Sequence, residues 1–266
     1  MVDVFTTDKA LVFMMRYHDK KEKKFVDFMI TMTHHNLVVT ASVIGEITED
    51  NLKDPRYGHW TYAGYEAEKI IFSTRDVQDK KSGFTFCSFN QKGELTETRF
   101  VEGPGVVFES IETGSFGSTG RFYLQTNEFS AGKILTINGK MHLLGSRIES
   151  GKRTIELFSL IEGKWVKIKS ATIGIDSSKK SPQLNSMVLN EGIACISGNS
   201  SVFLPFSANA EPVINPATKF TPFNPSSVMV SDLKNRFAVS LPTGILFFDT
   251  KQLSVPGNVN FEFVKK

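Results

Sequence analysis

The chain has 266 residues, 40% of them hydrophobic, enough for one large β domain with a packed core, and disorder is excluded on that ground. Its 31 basic and 28 acidic side chains are interspersed and leave a net charge of only +3, so no field strong enough for nucleic acid or an anionic membrane surface is expected. Phe occupies 23 positions against 5 for Tyr and 2 for Trp, an aromatic composition suited to filling interiors.

Taken from the N-terminus, short runs rich in Val, Ile, Phe and Thr alternate with turn residues, the pattern of consecutive strands, and no segment carries a helical stripe. A first unit spans Val2–Val43 and a second Trp60–Val101. Within them Ala10–Thr33 and Ile70–Asn90 read as diverged copies. An apolar strand runs into Arg, then an Asp-Lys-Lys loop, then a Phe-led strand: Phe13, Arg16, Asp19-Lys20-Lys21 and Phe25 match Phe72, Arg75, Asp79-Lys80-Lys81 and Phe84. A recurring module of this length predicts stacked β units, each burying its apolar face on the next.

Between these units, after the acidic segment Thr48–Asp54, the stretch Pro55–Tyr62 gathers Arg56, Tyr57, His59 and Trp60. Aromatic residues beside Arg are favoured anchors for partners, so these four are the candidate partner-binding residues. The alternative is that Trp60 and Tyr62 begin a strand and pack inward.

Further along, Gly103–Thr126 reads as a degenerate extra unit or an extended connection. A third unit spans Lys133–Ile173, where Leu144, Arg147 and Lys152 loosely match Phe72, Arg75 and Lys80; a fourth spans Met187–Ile214 and a fifth Val228–Val264. Tight hairpins are expected at Lys92-Gly93, Asn138-Gly139 and Glu162-Gly163-Lys164, because glycine supplies the positive φ of such turns. The stretch Pro205–Pro225, with prolines at 205, 212, 216, 222 and 225, forbids a central strand and reads as a loop excursion.

The expected fold is all-β: one domain over residues 1–266, a β-propeller of five or six four-stranded antiparallel blades, complete or incomplete. Ring closure would pair Val2–Phe5 with Asn260–Lys265. Two packed antiparallel sheets are the alternative.

Chemistry is sparse. His34-His35 lies between two strands, where neighbouring side chains diverge, and His18 sits in a charged loop; neither reads as a metal site, and His142 has no nearby orienting group in sequence. No Gly-x-Ser-x-Gly elbow, calcium loop or Cys-x-x-Cys pattern occurs, and the Gly114, Gly117, Gly120 cluster precedes a strand-like run where a phosphate cradle needs a helix. Glycoside hydrolysis needs two acids roughly 5 to 10 Å apart. Glu46, Glu49, Asp50 and Asp54, or Glu109 and Glu112, are the loop carboxylates that would have to converge. Cys87 and Cys195 lie in apolar runs and read as buried thiols, with an inter-unit disulfide as the minor alternative. No cofactor and no metal is expected.

The longest apolar run near the N-terminus, Ala10–Met15, is far short of a membrane span, and no signal-peptide pattern precedes it. The expectation is a soluble chain without membrane insertion, periplasmic or at the cell surface if a leader has been removed.

At Ile70-Ile71-Phe72, Asp79-Lys80-Lys81 and Phe84-Thr85-Phe86 the chain resembles β-propeller repeat proteins of the Bacteroidetes cell-envelope type. The resemblance covers the first three units and implies a scaffold role at the envelope. It carries over no active-site residue, because the sharper propeller signatures are missing. The functional expectation is a noncatalytic scaffold or binding protein that presents rim loops to a protein partner, or is one subunit of a larger assembly. A carbohydrate-active or glycan-binding propeller is the alternative.

Overall fold

The computed structural model describes residues 3–35, 37–54, 56–105, 111–113, 133–137, 139–174, 184–188, 191–197, 200–215, 230–233, 236–241, 244–249 and 261–265. Among these the regular structure is all-β, apart from one 3-10 turn at Asn51–Lys53. The first sheet is a meander of β1 (Asp3–Thr6), β2 (Ala10–Asp19), β3 (Lys24–Thr33) and β4 (Val39–Thr48). The second repeats that plan with β5 (Thr61–Glu66), β6 (Lys69–Gln78), β7 (Lys81–Phe89) and β8 (Leu95–Glu102). After the short β9 (Ile111–Thr113) comes a third, β10 (Lys133–Ile137), β11 (Lys140–Glu149), β12 (Lys152–Ile161) and β13 (Lys164–Gly174). The fourth holds β14 (Leu184–Val188), β15 (Gly192–Ser197), β16 (Ser200–Pro205) and β17 (Val213–Asn215); the last holds β18 (Val230–Leu233), β19 (Arg236–Leu241), β20 (Gly244–Asp249) and β21 (Phe261–Lys265).

The hairpins form where the turn chemistry predicts. Glu162 and Gly163 take φ of 49° and 76°, and Gly93 and Gly139 take 81° and 69°, the left-handed conformations that match the twist of the flanking strands. Two connections do so without glycine: Ala67-Glu68 (46° and 63°) and Asp79-Lys80 (49° and 65°). Non-glycine residues bear a steric cost in that region.

Several sequence expectations change in detail. Asp79-Lys80 closes a two-residue turn between Gln78 and Lys81, whereas Asp19 pairs with Lys24 across a loop two residues longer. Arg75 therefore lies opposite Phe84 while Arg16 lies opposite Asp27, so the Phe25 and Phe84 markers do not occupy equivalent rungs. The fourth sheet has five strands, because β9 adds to β14 in parallel, so the expectation of uniformly four-stranded antiparallel sheets fails there. The rest of Gly103–Thr126, apart from residues 103–105, lies outside the described residues. β17 forms inside the proline-rich stretch directly after Pro212, at the sheet edge, where a missing N–H is tolerated. Residues 216–225 lie outside the described residues. The closing pair expected between the two termini is not among the strand pairs of the described residues: β1 has β2 as its neighbour, and β21 has β20.

The chain divides into two compact units. One comprises residues 1–107, 117–143 and 159–166; the other comprises residues 108–116, 144–158 and 167–266; β11, β12 and β13 contribute to both. The core of the first unit joins its first two sheets. Val12, Met14, Met29 and Ile44 pack with Trp60 and with Ile70, Phe72, Cys87 and Phe89, while Phe5, Tyr62 and Tyr65 seal its margin. Phe5 stacks on Tyr62 at 3.7 Å between ring centroids, and Phe72 meets Phe89 edge-on at 6.0 Å.

Neighbouring residues on a strand face opposite ways, so an unbroken buried run means both faces of the sheet are covered. Residues 70–74 of β6 and 84–89 of β7 are buried throughout. The first sheet differs: Val12, Met14 and Met29 are buried on one face, while Leu11, Phe13, Met15, Phe28 and Ile30 on the other stay half-buried.

Candidate functional site

The stretch leading into β5 is organised by a carboxylate. Asp54 accepts from the backbone N–H of Arg56 at 3.0 Å and from its guanidinium at 2.5 Å, and these bonds hold the Asp54 carboxyl down at about 2. Arg56 is exposed at the outside of this turn and Tyr57 is half-buried, its N–H donating to the Asp54 carbonyl at 3.0 Å. Gly58 then passes close against the second sheet. Its N–H donates to the Arg75 carbonyl at 3.2 Å, its carbonyl accepts from Thr74 Oγ1 at 2.5 Å, and a Cβ there would lie 2.8 Å from Arg75 Nε.

His59 and Trp60 turn inward. Trp60 is only 6% exposed and its ring lies over Gly45, which a side chain would drive into the indole. Gly45 sits at the β-bulge where β4 steps past Asp27 and Phe28 of β3. The Trp60 backbone is clamped from the first sheet: Asp27 Oδ2 accepts its N–H at 3.3 Å, and its carbonyl accepts from Arg16 Nη2 at 3.2 Å. Arg16 also donates twice to Asp27, at 2.6 and 3.1 Å. This fork joins β2 and β3 to the start of the second sheet.

Electrostatics follow from burial. Asp27 is 1% exposed, and loss of solvent pushes its carboxyl above the ordinary value even though Arg16 pulls the other way. His59 is pushed down to about 4, first by burial and then by the charges of Arg16 and Arg75. Its ring meets Phe25 edge-on at 5.0 Å, and its Nδ1 is buried without a hydrogen-bond partner. The other side of Phe25 stacks on His18, whose Nε2 lies 2.6 Å from Glu49 Oε1. His18, expected in a solvated loop, is thus half-buried and fixed.

The four candidate residues therefore do not share a surface. Arg56 and Tyr57 remain at the outer turn while His59 and Trp60 line the seam between two sheets. Trp60 takes the inward-packing alternative, and its ring is not offered to a sugar or a partner. Trp165, in β13, likewise packs edge-on against Phe84 at 6.1 Å. The residues that sequence reading missed are Asp27 and Gly45. The available signal for Asp27 was a charge in the register of Met29 and Thr31, on the apolar side of β3.

Both Asp27 oxygens are engaged, and no carboxylate orients His59 among the described contacts. The carboxylates that glycoside chemistry would require are each tied to a different partner: Glu46 to Lys24 at 2.9 Å, Glu49 to His18, Asp50 to Lys53 at 2.6 Å and Asp54 to Arg56. Glu109 lies outside the described residues, and the Glu112 side chain is likewise not described. Among the described residues no cluster of three His, Cys, Asp or Glu side chains is placed to hold a metal. Cys87 and Cys195 are free and buried; burial raises both thiols, Cys195 to about 12. The inter-unit disulfide is not formed. Among the described residues no helix is long and apolar enough to cross a membrane.

Compared with known protein families and with curated proteins, the chain matches no family model and none of those proteins.

Proposed function

We propose that this chain is a noncatalytic, β-propeller-type scaffold that presents loops to a protein partner within a larger assembly, in keeping with the envelope role its sequence resemblance implies. The observation that carries this reading is how successive sheets of the first unit approach one another. Their first strands are neighbours: β1 meets β5 through the Phe5–Tyr62 stack, and β5 meets β10 where Thr136 Oγ1 donates to the Ala63 carbonyl at 3.0 Å. Sheets that converge at their first strands, the second of them buried on both faces further out at β6 and β7, are arranged as the wedges of a propeller are. Arg16 and Asp27 between the first two sheets are spent on holding them together, which favours a framework role over turnover.

Two measurements test the reading. Small-angle scattering of a closed ring should give a radius of gyration near 18 Å, the value for a compact chain of this length; a markedly larger value means an open array. Affinity capture from native membranes should return a defined envelope protein whose binding is lost when Arg56 and Tyr57 are replaced by Ala. Recovery of no partner, or hydrolysis of a glycan panel by the pure chain, would overturn the scaffold assignment.

A further inference from the structure

The turn that carries Arg56 and Tyr57 is bonded mostly to itself. Thr48 Oγ1 accepts from the Asn51 N–H at 3.1 Å, the Asp50 carbonyl from the Lys53 N–H at 3.1 Å, and the Asn51 carbonyl from the Asp54 N–H at 3.0 Å. The Asp50–Lys53 and Asp54–Arg56 ion pairs also close inside it. Among the described residues, the hydrogen bonds that leave residues 49–58 lie at the two ends, Gly58 on β6 and Glu49 on the first hairpin. Glu49 makes two of them: its N–H donates to the Lys23 carbonyl at 2.8 Å, and its Oε1 meets His18 Nε2 at 2.6 Å.

His18 stands opposite Phe25 on β3 and stacks on its ring at 4.3 Å, with His59 edge-on to the same ring. The His18 and Glu49 side chains are 36% and 39% exposed, so protons reach the contact without the sheet opening. The charged groups around it are Glu49, Lys23 and Asp19 in the adjoining turn, the Arg16–Asp27 pair two residues back along β2, and Arg75 beyond His59. Arg16 and Asp27 hold each other, and His59, pushed down to about 4, is neutral in mild acid. Within the turn, hydrogen-bonded partners hold Asp50 below the ordinary carboxylate value, Asp54 down at about 2, and Lys53 and Arg56 above theirs, so both ion pairs keep their charges at and above pH 5. Histidine is the side chain whose charge ordinarily changes between about pH 5 and 8. An imidazolium adds Coulomb attraction to its bond with a carboxylate, and a neutral imidazole does not.

We propose that the His18–Glu49 contact is a proton-controlled latch: in mild acid it fastens the turn carrying Arg56 and Tyr57 to the first hairpin, and loss of the proton loosens it. Its use, setting when Arg56 and Tyr57 are held in place for a partner, rests on the partner reading above; the latch itself does not.

Hydrogen exchange of the full chain, with no partner present, tests it. The Glu49, Lys53, Asp54 and Tyr57 amides each donate a bond at or within the turn. Relative to the amides of β6, and with intrinsic exchange rates divided out, they should be about threefold better protected near pH 5 than near pH 8. His18→Gln keeps a donor for Glu49 and removes the titration, so its protection should be the same at both pH values. Glu49→Gln, which removes the carboxylate and leaves the His18–Phe25 stack, should behave likewise. Equal protection at both pH values in the native chain, or a pH response that persists in both variants, overturns the proposal. Failure to capture an envelope partner would count against the partner reading and leave this result unchanged.

Discussion

Asp27 illustrates how one buried charge can organise two sheets. Removing a carboxylate from water costs several kcal/mol, and Arg16 offsets this only through the bidentate geometry and the extra bond to the Trp60 N–H. Asp27→Ala leaves the guanidinium unpaired and is expected to cost about 3 kcal/mol or more in urea unfolding, whereas Arg16→Met with Asp27→Leu should cost much less. His59 gives a pH dependence with a definite sign. Its folded value of about 4 lies below the ordinary 6.5, so under acid the unfolded chain takes up a proton that the folded one refuses. This contribution to stability is complete above pH 6.5 and falls away towards pH 4. Asp27, whose carboxyl is raised by burial, acts in the opposite direction at the acidic end. Unfolding midpoints measured across this window should slope less steeply for His59→Gln than for the native chain.

Among the elements, the hairpins show how far local chemistry can be read and where it misleads. The Asp-Lys-Lys signature marks a turn in both of the first two sheets, yet it closes in two residues at Asp79-Lys80 and in four after Asp19. Two extra loop residues move every later position of β3 by one full rung pair, which preserves the facing of side chains and so leaves no trace in the hydrophobic alternation. Lys80 holds φ at 65° with no compensation from glycine. Lys80→Gly creates the favoured Asp-Gly turn and is expected to stabilise by about 1 kcal/mol, raising Tm by roughly 2 °C in a thermal melt. Unchanged or lower stability would mean that the unfolded-state entropy of glycine outweighs the relief of strain.

At the scale of the molecule, Trp60 is the residue on which the first two sheets depend together. Its ring is shared by side chains from both, so Trp60→Ala should cost about 3 to 5 kcal/mol. Hydrogen exchange in β2, β3, β6 and β7 should accelerate in concert; exchange confined to one sheet would show that the seam is not shared. Sequence reading had weighed this tryptophan both as a binding anchor and as a packing residue, because composition is silent on which way a loop aromatic turns. The same limit applied to Arg56 and Tyr57, neighbours in sequence to His59 and Trp60 yet parted from them in space.

Alternation of apolar and polar residues and turn dipeptides were enough to define an all-β chain, because those signals are local. Asp27 beneath Trp60, the added parallel strand Ile111–Thr113 and the rung offset between the first two hairpins were decided only in three dimensions. Each depends on which distant segment arrives beside a given residue, and the free energy of that meeting belongs to neither stretch of sequence alone.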